Sequence, residues 1–145
     1  MEGLNERIVR FLKKHHILTL ATCAEGQPWC CTCFYVFDDE NVRFIFTSDK
    51  ETRHITEGLK NTAVAGTIAL ETRIIGKLRG VQFTGTLTEM SGNDYDAARK
   101  TYLKRFPYAA PFIGSTAIWS IDVTLLKMTD NRLGFGKKIF WYKST

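Results

Sequence analysis

The stretch LATCAEGQPWCCTCFYVFDDENVRFIFTSDKETRHI, residues 20–55, decides the fold of this chain. Apolar segments of strand length alternate in it with two groups of turn residues, AEGQP at 24–28 and DDEN at 38–41. Aromatic and β-branched runs bounded by such turns are typical of antiparallel strands. The stretch therefore predicts an antiparallel meander with strands at 17–23, 29–37 and 42–47.

The rest of the chain predicts more strands with helices between them. Residues 4–15 carry apolar side chains at helical spacing, and residues 91–106 begin with capping and acidic residues and end with basic ones. A short helix should follow the third strand, with Ile55 and Leu59 on its buried face. Further strands are predicted at 62–70, 77–90 and 117–123, with weaker ones at 125–130 and 137–143. This pattern predicts one mainly β domain, residues 1–145, built as a barrel with peripheral helices.

Composition narrows the class of protein. The chain has 145 residues, a formal net charge of +5 and an aromatic share of 12%. No segment approaches the roughly 18 apolar residues of a membrane span, and the N-terminus lacks an apolar signal core. We therefore expect a cytoplasmic protein, in which the four cysteines are reduced.

The segment from Thr47 to His54 combines hydroxyls and cations where a strand gives way to a helix. Ser48 and Glu51 match a capping box, so the helix could begin at Ser48. Alternatively Thr52 is the cap, and Arg53 and His54 then occupy the first turn. In that second register the free N–H groups and the helix dipole favour a phosphate. Periodicity does not choose between the two registers.

The segment LRGVQFTG, residues 78–85, alternates with a period of two. Gly80 and Gly85 inside a strand predict bulges or close approach of another group. Gln82 offers both a donor and an acceptor, which suits the edge of a heteroaromatic ring. A glutamine on a solvated strand face is the alternative interpretation.

With the segments 20–55, VAGTI at 64–68 and RGVQFTG at 79–85, the chain resembles the FMN-binding split barrels of the pyridoxamine 5′-phosphate oxidase-like superfamily. Its ending, TDNRLGFGKKIFW at 129–141, resembles the small bacterial YhbP-type branch of these proteins. The resemblance covers nearly the whole chain. It implies a six-stranded antiparallel split β-barrel, a homodimer, and FMN bound at the interface of the dimer.

The resemblance also implies which residues bind the flavin. In such proteins the strand after the Gly-x-Pro turn lines the flavin, a hydroxyl ends the next strand, and a short polar triplet holds the phosphate. A glutamine lies on the fifth strand, and basic residues near the C-terminus could assist. On this chain the implied cofactor-binding residues are Cys31, Thr32, Cys33, Phe34, Thr47, Ser48, Thr52, Arg53, His54, Gln82, Lys137 and Lys138.

Two positions depart from the pattern of true oxidases. Such enzymes usually have an arginine where this chain has Cys31, and a lysine where it has His54. Each change removes a fixed cation from the phosphate site. We therefore expect Arg53 to balance more of the phosphate charge, with Lys50 as a further candidate. The substrate side also lacks the family's lysine on the lining strand and its late histidine. We therefore expect a flavin-dependent oxidoreductase that acts on an unknown small substrate or electron carrier other than pyridoxamine 5′-phosphate, with no catalytic residue identified.

The cysteines raise the question of a metal. Zinc thiolates usually come as two separated Cys-x-x-Cys pairs on turns, whereas this chain has one Cys-Cys-x-Cys run at 30–33, no second pair, and Cys23 alone on another strand. A strand at 29–37 places Cys31 and Cys33 on one face and Cys30 on the other. The sequence therefore predicts four free thiols that serve as small packing residues, and no metal.

Two other classes of function are open at this level. Small barrels bind nucleic acid through basic grooves with stacking aromatic residues, although a strand with a buried aromatic face and a solvated basic face explains the same composition. Haem is the other, with Met128 and the three histidines as candidate ligands in no recognisable site. The basic and aromatic residues that suggest nucleic-acid binding are Arg132, Phe135, Lys137, Lys138, Phe140, Trp141, Tyr142 and Lys143.

Overall fold

The computed structural model describes residues 3–145, which form one curled antiparallel sheet with helices around it. No helix among these residues has the length and apolar content needed to cross a membrane. The strands are β1 (Ile17–Ala24), β2 (Gln27–Phe34), β3 (Val36–Asp38), β4 (Arg43–Thr47), β5 (Ala63–Ala69), β6 (Arg79–Glu89), β7 (Ile118–Asp130) and β8 (Lys138–Tyr142). The α-helices are α1 (Glu6–Lys14), α2 (Arg53–Lys60), α3 (Gly92–Arg105) and α4 (Ala110–Ile113).

The strand order is β2-β1-β5-β6-β7-β4-β3, and β8 adds to β7. The hairpins β1–β2 and β3–β4 agree with the sequence, but the continuous meander does not. β4 pairs with β7 instead of β2, so the two hairpins lie at opposite ends of the path. The sheet curls until β2 approaches β4 without backbone pairing, which makes it a half-barrel.

The predicted strand at 29–37 is broken at Tyr35. The Tyr35 side chain is fully buried and its hydroxyl donates to the Leu12 carbonyl at 2.6 Å. Its backbone N–H donates to the His16 carbonyl at 3.0 Å. The side-chain bond ties Tyr35 to the end of α1, and the backbone bond extends the β1–β2 register by one position. From Val36 onward the chain pairs with β4 instead, as β3.

The resemblance implies six strands, whereas the described residues form eight. The break at Tyr35 adds one strand. The segments predicted at 117–123 and 125–130 form the single long strand β7, and the weak strand near the C-terminus is β8. β7 is long because it pairs with β6 along most of its length and with β4 and β8 at its two ends.

The main core lies inside the curl of the sheet, where α1 and α2 cover its openings. It contains fully buried Phe44, Phe46 and Trp119. A smaller core packs α3 against β3, β4 and β7. In α2, Ile55 is buried as predicted, but Leu59 is 52% exposed because Gly58 occupies the inward position.

The glycine in the middle of β6 marks a bulge, as its place in the strand predicts. The register of β6 against β7 shifts between Thr84 and Gly85. A Cβ at Gly85 would lie 2.7 Å from the Asp122 carbonyl oxygen and 2.7 Å from Ile121 Cγ2. The backbone of β7 thus approaches too closely for any side chain at this position.

Replacing Gly85 by alanine should therefore destabilise the fold. We expect Gly85→Ala to lower the free energy of unfolding by about 1–3 kcal/mol, because β7 must move to accept the methyl group. Gly76→Ala is the control, since a Cβ there meets nothing within 4 Å. Denaturant unfolding measures both variants, and equal stabilities would contradict the close approach of the two strands.

Candidate functional site

The polar segment between β4 and α2 adopts the second of the two predicted registers. Thr52 is the N-cap residue of α2, and Arg53 and His54 are in its first turn. The Thr52 side chain makes no capping bond, because its hydroxyl donates to the Asp49 carbonyl at 2.8 Å. The backbone N–H groups of Arg53 and His54 have no acceptor among residues 3–145. Such free donors at a helix start attract an anion.

Three hydroxyl and imidazole groups meet at this helix start. Ser48 Oγ lies 2.6 Å from His54 Nε2, and Thr52 Oγ1 lies 3.3 Å from each of these atoms. The Ser48 carbonyl accepts a 2.9 Å bond from the indole N–H of the fully buried Trp119. Trp119 therefore anchors this segment to the core, and the Ser48 and Thr52 hydroxyls lie beside the His54 imidazole.

Cys31 and Cys33 face this group from β2. Alternation along β2 directs both side chains into the barrel, where they pair with Leu20 and Leu18 of β1. Their sulfur atoms are 3.6 Å apart, and both lie within 4.8 Å of a nitrogen of His54. We call Cys31, Cys33 and His54 the thiol–imidazole cluster. Sequence reasoning placed the two thiols on one face but missed His54, which comes from a helix 21 positions further along the chain than Cys33.

The two thiols of this cluster differ in acidity. A hydrogen bond from Cys33 and the adjacent His54 lower the pKa of Cys31 to about 5, against the effect of burial. The Cys31 sulfur and burial raise the pKa of Cys33 far above its ordinary value. Cys31 is the less buried of the pair and lies nearer to solvent. One thiolate, on Cys31, is thus the expected charge state at neutral pH.

The Arg53 side chain is held away from the backbone of its own helix turn. Its Nε donates to Glu57 Oε1 at 2.8 Å, and its guanidinium carbon lies 3.9 Å from the centre of the Trp29 ring. The terminal nitrogens of Arg53 have no partner in the described chain, and half of its side chain is exposed. Trp29 and Glu57 therefore orient a guanidinium whose outer edge is free.

The other predicted flavin-binding residues lie apart from this junction. Thr32 and Phe34 point out of the barrel from β2, and Phe34 packs on Phe106 with ring centres 5.5 Å apart. Gln82 also faces outward, in a cross-strand row with Thr67 of β5 and Lys127 of β7.

Lys137 and Lys138 are remote within one chain. Lys138 pairs with Thr129 on β7, whereas Thr47 pairs with Ile118 at the opposite end of that strand. Lys138 Nζ donates to the Gly136 carbonyl at 3.0 Å. Neither lysine reaches the junction from its own chain.

The C-terminal strand does not have the buried aromatic face that the sequence suggested. Phe140 and Tyr142 are 47% and 65% exposed and stack on each other, whereas Ile139 and Trp141 are half-buried against the core. The exposed face of β8 is thus mainly aromatic. Met128, the proposed haem ligand, is 1% exposed and belongs to the core.

A cleft opens beside the junction, between β4 and the α3–α4 region. A part of about 340 Å³ is lined by Thr47, Ser48, Thr52, Tyr102 and Phe112. A neighbouring part of about 460 Å³ shares Phe112 and extends past Lys50. The cleft places aromatic walls next to the hydroxyls and free amides of the helix start.

Comparison with known proteins places the chain in a family. A family model described as "Pyridoxamine 5'-phosphate oxidase" matches residues 4–130. The chain belongs to this family. It is 41% identical over 134 residues to a UPF0306 protein of Yersinia pseudotuberculosis, covering 92% of this chain and 90% of that protein. A UPF0306 protein of Yersinia pestis matches to the same extent.

Solved structures with the same fold have low sequence identity. A heme binding protein from Mycobacterium smegmatis gives a TM-score of 0.78 at 16% identity, covering 98% of this chain and 60% of that one. An FAD-binding protein from Mesorhizobium loti gives a TM-score of 0.69 at 14% identity, covering 88% and 95%. The same fold thus occurs in one protein named for heme binding and in another named for FAD binding.

The acidity of Cys31 predicts an unusual pH profile for its alkylation. Because its pKa is lowered to about 5, Cys31 stays a thiolate as pH falls from neutrality and loses its reactivity only near pH 5. In chelator-treated protein, site-resolved mass spectrometry after iodoacetamide should show a nearly constant Cys31 rate between about pH 8 and 6, where an ordinary thiol slows markedly.

The control for this prediction is Cys33→Ala, which removes the hydrogen bond that contributes most to the shift. In this variant the midpoint of the Cys31 profile should move up towards about 8.5. A wild-type rate that falls about tenfold per pH unit below pH 8 would show that Cys31 is an ordinary thiol.

Proposed function

We propose that this protein belongs to the YhbP-type branch that its C-terminus resembles, and that it binds FMN and uses it for redox chemistry on a small substrate. The observation that carries the proposal is the start of α2. Two unpaired backbone N–H groups there lie beside the Ser48 and Thr52 hydroxyls, at the position where the family pattern implies a phosphate.

The residues present suit a phosphate monoester. Thr47, Ser48 and Thr52 line the cleft, where Thr47 and Ser48 offer hydroxyl donors to the phosphate oxygens and the Thr52 hydroxyl donates to the Asp49 carbonyl. Arg53 adds a guanidinium whose terminal nitrogens are unpaired in the described chain, and such groups make paired, charge-assisted bonds to phosphate. His54, whose Nε2 lies 2.6 Å from Ser48 Oγ, adds an imidazole at the position where the family pattern has a lysine. The flavin itself supplies the redox chemistry, and the protein supplies position and electrostatics.

A homodimer completes the site in this proposal. The outer face of the sheet carries Gln82 and Thr32 together with the exposed apolar side chains of Ile17 and Phe34. Exposed apolar groups with polar groups beside them are typical of protein interfaces. Because Lys137 and Lys138 do not reach the junction of their own chain, their proposed contact with the flavin comes from the second subunit.

The substrate we propose is flat and carries little charge. A doubly charged substrate phosphate needs a second set of cations, and burying such a charge without partners costs several kcal/mol, roughly 5 or more. Arg105, the one arginine near the end of α3, already donates to the His15 carbonyl at 2.7 Å. The cleft offers Tyr102 and Phe112 instead, which suit an aromatic or quinone-like ring.

Haem is the second candidate. The heme binding protein of Mycobacterium smegmatis has this fold, and the Cys31 thiolate and His54 imidazole are both groups that ligate haem iron. The visible spectrum of the purified protein separates the two candidates. Flavin absorption supports our proposal, and a Soret band would replace it with haem binding.

Arg53 should contribute more to FMN affinity than Lys50 does. Lys50 carries the same charge but is bonded to Glu89 and is more exposed. We expect Arg53→Ala to weaken FMN binding roughly 10- to 30-fold, and Lys50→Ala to change it less than about threefold. Quenching of flavin fluorescence gives the affinities, with riboflavin as the ligand that lacks the phosphate.

Glu57→Gln is the matched control, because it frees Arg53 without removing it. FMN binding should be unchanged or tighter in this variant. The wild type should bind riboflavin much more weakly than FMN. Riboflavin should bind to Arg53→Ala as strongly as it binds to the wild type. Equal FMN affinities in wild type and Arg53→Ala would remove this helix start from the flavin site.

The FMN-loaded protein should not oxidise pyridoxamine 5′-phosphate. Without a second phosphate clamp, we expect turnover far below about one per second, an ordinary enzyme rate. Aerobic incubation followed by assays for the aldehyde and for peroxide measures this, after photoreduction has shown that the bound flavin is redox-active. Turnover at an ordinary rate would show that another set of cations binds the substrate.

A further inference from the structure

We propose that the thiol–imidazole cluster is a binding site for a thiophilic divalent metal ion of the Zn²⁺ class. Its protein ligands are the Cys31 and Cys33 sulfurs and one nitrogen of His54. This inference does not rest on flavin binding, and it reverses the metal-free expectation drawn from the cysteine spacing.

The separations within the cluster are close to those of a metal site. With Zn–S bonds of about 2.3 Å, two thiolates of a tetrahedral site lie about 3.8 Å apart. Cys31 Sγ and Cys33 Sγ are 3.6 Å apart, and all three ligand atoms lie within 4.8 Å of one another. With a Zn–N bond of about 2.0 Å, the sulfur–nitrogen separation in such a site is about 3.5 Å. A shift of about 1.3 Å or less in the His54 ring therefore brings its nitrogen to the sulfur–nitrogen separation of a zinc site.

A strand and a helix start hold the three side chains of the cluster in place. Cys31 and Cys33 are on β2, in register with Leu20 and Leu18 of β1. His54 is held on the first turn of α2, and its Nε2 lies 2.6 Å from Ser48 Oγ. A hydroxyl on one imidazole nitrogen orients the ring, as the outer contacts of metal-bound histidines do, and the ring has a second nitrogen that can bind a metal.

The donor set selects the class of metal. Two sulfurs and one imidazole suit Zn²⁺ and similar ions, whereas Ca²⁺ and Mg²⁺ require oxygen ligands. No carboxylate oxygen belongs to the cluster in the described residues. Three protein ligands leave a fourth position for water or an exogenous donor, the arrangement of zinc sites that keep an open coordination position.

The rest of the cysteines provide matched controls. Cys30 neighbours Cys31 in sequence but points out of the barrel, and Cys23 is on β1, also exposed. Neither belongs to the cluster. Replacing Cys23 or Cys30 removes a thiol without removing a proposed metal ligand, so the two effects can be distinguished.

The test uses flavin-free full-length protein, kept reduced with a phosphine and stripped with a chelator. Zn²⁺ is titrated against a chromophoric chelator, and Co²⁺ is added in parallel as a spectroscopic probe. We expect one ion per chain with a dissociation constant below about 1 μM, thiolate-to-cobalt charge-transfer absorption, and the visible bands of tetrahedral Co²⁺. Bound Zn²⁺ should also protect Cys31 and Cys33 from alkylation while Cys23 and Cys30 stay reactive.

Variants assign the ligands. Cys31→Ser and His54→Gln should each weaken Zn²⁺ binding by about 100-fold or more and abolish or alter the cobalt bands, while Cys30→Ser should bind like the wild type. Cys33 is the most buried thiol, so if Cys33→Ser does not fold, the half-buried Cys31 and His54 still decide the question.

Three results would overturn the proposal. These are no cobalt charge-transfer absorption, a zinc affinity weaker than about 100 μM, or an equal loss in Cys30→Ser and Cys31→Ser. Because the protein carries no flavin in these measurements, failure of the flavin proposal leaves their outcome unchanged.

Discussion

The hydrogen bond from the Trp119 indole to the Ser48 carbonyl, 2.9 Å long, fixes the place where the sheet meets the candidate site. Trp119 is fully buried on β7, and the Ser48 N–H in turn donates to the Ala117 carbonyl just before that strand. A buried indole N–H without an acceptor would cost about 1–3 kcal/mol, so the core itself holds residue 48 in position. The Ser48 and Thr52 hydroxyls and the His54 ring take their places from this anchor.

The strands and helices follow mostly from local pattern, and the exceptions have long-range causes. The period-two alternation of β6 and the bulge at Gly85 are visible in the sequence, because each depends on residues within one segment. The break at Tyr35 is not, since at this residue the hydroxyl bonds to Leu12, 23 positions earlier, and the pairing partner changes from β1 to β4. The pairing of β4 with β7 likewise joins segments that lie far apart in the chain.

The candidate site divides in the same way. The sequence predicted that hydroxyls, cations and free N–H groups gather at the start of α2, and it placed both thiols on one face of β2. It left the helix register open, because the capping box at Ser48 and the cap at Thr52 suit the same apolar spacing. The approach of His54 to Cys31 depends on the curl that brings β2 towards β4, and no local signal contains it.

The two departures from the oxidase pattern are neighbours in space. Where true oxidases usually have an arginine and a lysine, this chain has Cys31 and His54, and these two residues belong to one cluster. Two cations are thus exchanged together for a thiolate and an imidazole. A thiolate alone repels a phosphate, but a divalent ion held by two thiolates and a neutral imidazole has no net charge and an open coordination position. A metal in the thiol–imidazole cluster therefore removes the repulsion that Cys31 introduces, and makes metal binding and phosphate binding at this helix start compatible.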